Sequence, residues 1–255
     1  MIGMGTWEVG DVKNEERVLE IQAIRKGIEL GMALIDTAEM YGYGNAERLV
    51  GEAVKEIRDD VFIATKVSPQ HFGYEDVLTA CESSIKRLGV KHIDLYQLHW
   101  PSYEVPIQET MKAMEELVSR GKIRYIGVSN FSAEQTSKAR EALPRSEIVS
   151  NQVRYSLTHR SIESGLLPFC EREKLTVIAY QPLDSGRVPA SKIPQALLDK
   201  YGMTPAQLML SWVTYREAVV AIPKASNLEH VEQNAAAIGP RISADDYKAV
   251  SRRFE

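Results

Sequence analysis

The sequence predicts an α/β fold of the (β/α)8 TIM-barrel class, formed by a single domain. Three observations lead to this prediction. The chain has 255 residues, a normal length for a closed barrel. Short apolar runs alternate with amphipathic stretches in a repeat of roughly 25–40 residues, the pattern of a parallel sheet with helices outside it. No linker, low-complexity run or change of composition divides residues 1–255.

The predicted strands are short and rich in valine, isoleucine, leucine or tyrosine, which is typical of strands buried on both faces. They cover residues 33–38, 61–67, 93–100, 123–131, 148–155, 176–183 and 218–225, and residues 1–6 supply a first strand. Since the chain opens inside this strand, the sequence leaves open whether a further segment precedes it. Neither Gly3 nor Gly42 begins a complete Gly-x-Gly-x-x-Gly signature, which argues against an open dinucleotide-binding sheet.

Helices are predicted between the strands because apolar residues recur at helical spacing in residues 16–29, 75–88 and 107–119. Four polar residues stand where a helix should begin and are expected to be N-caps: Ser132, Thr204, Asn227 and Ser243. Gly31 and Gly89 stand where a helix needs a left-handed residue to end. These signals place a helix after nearly every strand.

The composition excludes several classes of function. A formal net charge of −4 argues against a nucleic acid or an anionic membrane as the main partner. The chain lacks the run of about 18 apolar residues that a membrane span needs, and no charged start followed by an apolar run marks a secretory signal. Cys81 and Cys170 lie in apolar helical patterns and are expected to be buried free thiols. We therefore expect a cytoplasmic protein.

Polar side chains stand at the ends of three predicted strands, where a parallel barrel carries its chemistry. Asp36, Lys66 and His99 end their apolar runs, and Tyr41 follows Asp36 in the next loop. Alternation along a strand turns all three strand-end residues toward the barrel interior. Because neighbouring strands lie about 4.8 Å apart, Asp36 and Lys66 should be in contact.

This arrangement predicts proton transfer at Tyr41. A buried lysine tends to lose its proton, and Asp36 would keep Lys66 charged. A unit charge about 4 Å from a phenol contributes about 4 kcal/mol at an effective dielectric near 20, or roughly three pKa units before desolvation offsets part of it. We therefore expect the pKa of Tyr41 to be lowered enough for acid or base catalysis near neutral pH. His99 would hydrogen-bond the carbonyl oxygen of a substrate.

These motifs together resemble the aldo-keto reductase superfamily. The resemblance extends through the chain in family order: Asp36-Thr37-Ala38, Tyr41-Gly42, Glu47, Lys66, Leu98-His99-Trp100-Pro101, Gly127-Val128-Ser129-Asn130-Phe131 and Ile222-Pro223-Lys224. It implies a β/α barrel that reduces aldehydes and ketones to alcohols with NADP(H), by hydride transfer from the nicotinamide. It also implies that Asp36, Tyr41, Lys66 and His99 form the catalytic tetrad, with Tyr41 as the general acid.

The resemblance further implies which residues hold the cofactor. Ser129, Asn130 and Gln152 would bind the nicotinamide carboxamide, and Tyr180 would stack on the nicotinamide ring. A loop with backbone donors would wrap the pyrophosphate, and it includes Gln181, Pro182, Leu183, Ser185 and Gly186. Asp184 is an unfavourable neighbour for a phosphate and would organise this loop instead.

The adenosine 2′-phosphate would lie on residues 222–227. The implied contacts here are Ile222, Lys224, Ser226 and Asn227, with Asn234 facing the adenine and Thr6 and Gln233 completing the cofactor set. Many family members have arginine where this chain has His230, and histidine is a weaker, pH-dependent phosphate ligand. NADP(H) is therefore the expected cofactor, and NAD(H) stays an alternative.

Trp7 and Trp100 would line an aromatic pocket for a small aldehyde, ketone or sugar-derived carbonyl.

Three other classes of function have weaker support. A cofactor-binding regulatory subunit on the same scaffold would show little turnover, and the intact tetrad argues against it. A serine hydrolase using Ser129 would need the second glycine of a nucleophile elbow, which residues 127–131 lack. The five histidines form no His-Glu-x-x-His pair, so no metal is expected. Oligomeric state, physiological substrate and favoured direction stay open.

Overall fold

The computed structural model describes residues 1–10, 14–239 and 241–254. Eight parallel strands pair in sequence order within these residues. They are β1 (Met4–Gly5), β2 (Leu34–Asp36), β3 (Phe62–Val67), β4 (Ile93–Leu98), β5 (Ile123–Ser129), β6 (Ile148–Arg154), β7 (Thr176–Tyr180) and β8 (Val219–Ile222). Isolated parallel bridges from Ile2 to Ala221 and from Gly5 to Lys224 join the first and last strands. The predicted (β/α)8 barrel is thus confirmed.

Helices lie between the strands and around them. They are α1 (Asn14–Glu29), α2 (Asn45–Val54), α3 (Tyr74–Leu88), α4 (Ile107–Ser119), α5 (Ala133–Glu141), α6 (Leu166–Arg172), α7 (Gln195–Tyr201), α8 (Pro205–Val213), α9 (Leu228–Ala235) and α10 (Ala244–Arg252). A short 3-10 turn, Tyr41–Gly44, stands between β2 and α2. Two helices, α7 and α8, separate β7 from β8, so this connection is longer than the others.

The four predicted N-caps are confirmed, because each side chain accepts a backbone N–H of its helix. Ser132 and Thr204 form complete capping boxes with Gln135 and Gln207. Asn227 accepts from His230, and Ser243 accepts from Asp246. Such a cap stabilises a helix by about 1 kcal/mol. Both predicted helix-ending glycines have left-handed backbone, with φ of 92° at Gly31 and 65° at Gly89.

The apolar side chains form two layers. The barrel interior holds a small cluster of Leu34, Ala64, Leu95, Ile178, Val220 and Ile222, whereas a much larger cluster fills the space between strands and helices. Cys81 and Cys170 are free and buried as expected, and burial raises the pKa of the Cys81 thiol to about 12. Within the described residues, every helix is too short or too polar to cross a membrane.

Several strands end earlier than their apolar runs predict. The run 93–100 gives a strand only to Leu98, and the run 176–183 only to Tyr180. His99 and Gln181 thus follow β4 and β7 directly, and the carboxyl ends of all eight parallel strands lie at one mouth of the barrel.

Candidate active site

The side chains of Asp36, Lys66 and Tyr41 meet at the carboxyl ends of β2 and β3. The Nζ atom of Lys66 donates to Asp36 Oδ2 at 2.7 Å, to the Thr37 carbonyl at 2.9 Å and to Tyr41 Oη at 3.2 Å. These three bonds use all three protons of the ammonium group. The predicted contact between Asp36 and Lys66 is confirmed, and Tyr41 is the group that the ammonium presents toward the cavity.

The backbone around Tyr41 explains how its ring returns to the barrel. Gly42, Tyr43 and Gly44 follow with φ of 53°, 51° and 87°. Three successive left-handed residues reverse the chain sharply, which is costly for a non-glycine residue such as Tyr43. The Tyr43 side chain is 97% exposed, so nothing about its own packing requires this conformation. The turn instead directs Tyr41 inward before α2 begins.

A buried network behind β3 fixes the same loop. Glu47, wholly buried in α2, accepts from Thr65 Oγ1 at 2.6 Å and from Arg87 Nε at 2.6 Å. Glu39, in the Tyr41 loop, accepts from the Ser68 backbone N–H at 2.7 Å. Since Thr65 and Ser68 flank the segment of Lys66, these bonds hold the Tyr41 loop against β3. Sequence reasoning did not assign this network.

Lys66 carries its charge in a fully buried position. Desolvation, the largest effect, lowers the pKa of Lys66, but the Asp36 carboxylate and the Tyr41 hydroxyl together raise it above its ordinary value. Asp36 uses its second oxygen, Oδ1, to accept from Gln152 Nε2 at 2.7 Å. The ion pair is therefore enclosed by hydrogen bonds on both sides, as a buried pair requires.

The predicted lowering of the Tyr41 pKa is wrong. Burial, the largest effect, raises the pKa of Tyr41 above its ordinary value; Lys66 lowers it, while the Asp36 carboxylate raises it again. The sequence argument treated the ammonium as an isolated charge, whereas the phenol faces an ion pair in a desolvated site. Tyr41 is consequently a protonated hydroxyl at neutral pH, which suits a proton donor.

His99 is a neutral imidazole beside the phenol. Burial, followed by the nearby Lys66 charge, lowers the pKa of His99 to about 2. Its ring lies edge-on to Tyr41, with centroids 5.7 Å apart, and stacks on Trp100 at 3.8 Å. The Nδ1 atom is buried without a hydrogen-bond partner among the described residues, and the residue lines the cavity at the barrel mouth.

A chain of hydrogen bonds crosses the ends of β5, β6 and β7. Tyr180 Oη donates to Asn130 Oδ1 at 3.0 Å, and Asn130 Nδ2 donates to Ser129 Oγ at 3.1 Å. Ser129 Oγ in turn donates to the Gln152 carbonyl at 2.9 Å. This chain orders four of the residues predicted to hold the nicotinamide.

A cavity of about 720 Å³ opens above these groups. Most predicted site residues line it: Trp7, Asp36, Tyr41, His99, Trp100, Ser129, Asn130, Gln152, Tyr180, Gln181, Pro182, Leu183, Ser185, Gly186, Ile222, Lys224, His230, Gln233 and Asn234. Four do not. Lys66 is buried beneath Tyr41, and Thr6 is buried with its hydroxyl on the Asp36 carbonyl at 2.9 Å. Ser226 and Asn227 lie outside the lining, between Lys224 and His230 in sequence.

The loop after β7 has an unusual backbone. Gln181, Asp184, Ser185 and Gly186 all have positive φ, between 49° and 73°. Asp184 Oδ1 accepts from Arg154 Nη2 at 2.5 Å. Burial would raise the pKa of Asp184, but hydrogen bonds from Arg154 and Thr158 hold it below its ordinary value. Asp184 thus organises the loop from outside the cavity, as expected from sequence.

Sequence reasoning missed one wall of the cavity. Pro205, Ala206 and Met209 of α8 line it, together with Val188. The Thr204-Pro205 helix start was recognised, but apolar and small residues carry no chemical signature that assigns them to a site. Among the described residues, no cluster of histidine, cysteine, aspartate or glutamate could hold a metal ion.

Comparison with known proteins gives the family. The model of the Aldo/keto reductase family matches residues 1–253. Methylglyoxal reductase YeaE of Escherichia coli (strain K12) is 39% identical over 258 residues, covering 99% of this chain and 90% of the relative. An aldo/keto reductase from Klebsiella pneumoniae, solved in complex with NADP and acetate, has a TM-score of 0.91 at 42% identity, covering 99% of this chain and 90% of that one. The thermostable aldo-keto reductase Tm1743, solved with the inhibitor epalrestat, has a TM-score of 0.93 at 36% identity, covering 99% and 94%.

The parallel barrel, the groups at its mouth and these relatives together identify an oxidoreductase. The chain belongs to the aldo/keto reductase family. The resemblance inferred from the sequence motifs is therefore confirmed across the chain.

The buried ion pair gives a testable prediction for stability. Asp36→Asn leaves the Lys66 charge without its carboxylate, and the free energy of unfolding should fall by about 3–5 kcal/mol. Adding Lys66→Met should recover much of the loss because no unpaired charge remains. Urea denaturation measures both. The control is Glu134→Gln, which breaks the exposed pair between Glu134 and Lys138 and should change nothing measurable. An Asp36→Asn variant as stable as the wild type would contradict the prediction.

Proposed function

We propose that this protein reduces aldehydes or ketones to alcohols with NADP(H), and that Tyr41 is the proton donor. The observation that carries the proposal is the 3.2 Å contact between Lys66 Nζ and Tyr41 Oη, with Asp36 holding the ammonium at 2.7 Å. The NADP complex of the Klebsiella pneumoniae relative and the methylglyoxal reductase relative support the cofactor and the reaction.

The residues of the cavity fit a nicotinamide dinucleotide. Its floor holds polar groups of Ser129, Asn130 and Gln152, and the half-buried Tyr180 ring offers a face for stacking. Apart from Gly186 and its two chain neighbours, no described residue has an atom within 4 Å of where a Gly186 Cβ would stand, so a phosphate can approach this backbone closely. When bound, NADPH supplies the hydride for carbonyl reduction.

The residues of the chain supply the proton and the orientation. Tyr41 Oη gives its proton to the carbonyl oxygen, and the Lys66 ammonium stabilises the phenolate that forms. Asp36 keeps Lys66 charged and fixed. The neutral His99 donates from Nε2 to the same carbonyl oxygen and orients it. The attraction between the Lys66 ammonium and Tyr41 matters most at this step, because the phenol becomes negatively charged only as its proton leaves.

One end of the cavity offers groups that suit a phosphate. Lys224 is exposed at the end of β8, and His230 lies in the first turn of α9, whose N-terminus is capped by Asn227. A 2′-phosphate there would meet one cation, one imidazole ring and a favourable helix terminus. We therefore propose that NADP(H) is preferred over NAD(H).

The substrate end of the cavity is aromatic. Trp7 and Trp100 line it and stay 50% and 41% exposed. Their indole faces suit a small, uncharged carbonyl compound. The buried free thiols Cys81 and Cys170 fit a reducing compartment. We propose a single-domain enzyme of the cytoplasm.

Tyr41→Phe tests the proposed proton donor. Removing the hydroxyl should lower kcat at least about 100-fold, the usual contribution of general acid catalysis, without weakening NADPH binding. Steady-state NADPH oxidation with methylglyoxal measures kcat, and fluorescence titration measures the affinity for NADPH. Tyr43→Phe, two residues away and fully solvated, is the matched control and should behave as wild type. Near-wild-type rates in Tyr41→Phe would overturn the assignment. A wild type that binds NADPH without turnover would instead favour a regulatory subunit.

Lys224→Met tests the cofactor preference. Because Lys224 supplies charge to the 2′-phosphate alone, its loss should weaken NADPH binding about tenfold, equal to about 1.4 kcal/mol. NADH binding should stay unchanged. Parallel fluorescence titrations of wild type and variant measure the four Kd values. Equal weakening for NADPH and NADH would place Lys224 elsewhere on the cofactor.

A further inference from the structure

A row of four residues faces the barrel interior directly below the site. The strand register pairs Lys66 with Gln97, Gln97 with Gly127, and Gly127 with Ser150. Residues paired across strands point to the same face of a sheet. His99 follows Gln97 by two residues and therefore faces inward directly above it. Gln97 and Ser150 thus lie beneath the catalytic groups and outside the cavity lining.

Polar atoms of this row lack partners within the described part of the chain. They are Gln97 Nε2, Gln97 Oε1, Ser150 Oγ and, one layer above, His99 Nδ1. All three side chains are at least 97% buried. A buried polar atom without a partner costs about 1–3 kcal/mol. Unpaired polar atoms in two neighbouring layers of the barrel interior are the kind of groups that an internal water satisfies, since a buried water needs two to four polar partners.

Gly127 stands between the two unpartnered side chains and brings them close together. A Cβ at this position would lie 2.6 Å from Ser150 Oγ and 2.9 Å from Gln97 Cγ. Any larger residue would clash with both, so the Ser150 hydroxyl and the Gln97 stem pack directly against Gly127 and lie close to each other. The layer below this point is apolar: Leu95, two residues before Gln97 on β4, places its Cδ1 atom 3.1 Å from the same Cβ position.

Which ring nitrogen of His99 carries the proton depends on the groups that lie below the ring. A neutral imidazole carries one N–H, and donation to a carbonyl oxygen requires that proton on Nε2. Nδ1 must then accept a hydrogen bond. Lys66 cannot provide it, because Asp36, Thr37 and Tyr41 use its three protons. The amide of Gln97 and the hydroxyl of Ser150, in the layer below, are donor groups without a partner among the described residues.

We propose that Gln97 and Ser150 hold a buried water that donates to His99 Nδ1 and so keeps His99 in its Nε2–H tautomer. Gln97 is then a positioning residue that acts on the substrate carbonyl through His99. This inference rests on the proposed function, because the tautomer affects turnover only if His99 faces a carbonyl. The tautomer itself is a property of the protein that can be measured without substrate.

Nitrogen NMR of histidine-labelled protein tests the proposal, with and without saturating NADP. The His99 signals are identified by their loss in His99→Gln. In the wild type, Nδ1 should be unprotonated and Nε2 protonated. In Gln97→Leu, a close match in size, the Nδ1–H tautomer should become populated and kcat should fall at least about tenfold. Leu95→Met, on the same strand and face, is the control and should keep the wild-type tautomer.

Two results would overturn the proposal: a wild type in which Nδ1 carries the proton, or a Gln97→Leu variant with an unchanged His99 tautomer. The wild-type spectrum decides even if Gln97→Leu fails to fold, and Ser150→Ala provides a second variant with the same expected direction. A wild type that shows the Nε2–H tautomer but reduces no carbonyl would refute the proposed function and leave the water site supported.

Discussion

The pair of Lys66 and Asp36, buried where β2 and β3 end, is the interaction on which the site depends. Removing two charges from water is expensive, and the barrel offsets this cost only by satisfying both groups completely. Three acceptors surround the ammonium, and Gln152 donates a hydrogen bond to the second carboxylate oxygen from the opposite side of the barrel. A parallel barrel can do this because the ends of nonadjacent strands meet at one mouth.

The ion pair positions the phenol, but it does not make the phenol acidic in the resting protein. Burial raises the pKa of Tyr41, and Asp36 offsets part of the effect of Lys66. The arrangement is suited to a proton donor whose negative charge appears only during reaction. The loop that carries Tyr41 is held by Glu39 and Glu47, so the ring position is set by bonds to the barrel rather than by the ion pair alone.

Much of this could be predicted from the sequence, for physical reasons that differ between residues. The sequence predicts that strands end near Asp36 and Lys66, because an ionisable residue interrupts an apolar run at each position. The caps at Ser132 and Thr204 depend on local hydrogen bonds, which sequence records directly. The sign of the Tyr41 pKa shift could not be obtained in this way, because it depends on how deeply the ring is buried. The α8 wall and the row below His99 arise from tertiary packing and strand register, which no local pattern encodes.

The most direct test of the central claim is an NMR titration of Tyr41 in protein labelled at the tyrosine Cζ carbon, with the signal identified by its loss in Tyr41→Phe. If the ammonium of Lys66 acts on the phenol, Lys66→Met should raise the pKa of Tyr41 above its wild-type value. The rise should persist, reduced, in Asp36→Asn/Lys66→Met, where the repelling carboxylate is also gone. A Tyr41 pKa that stays unchanged or falls in Lys66→Met would contradict the account.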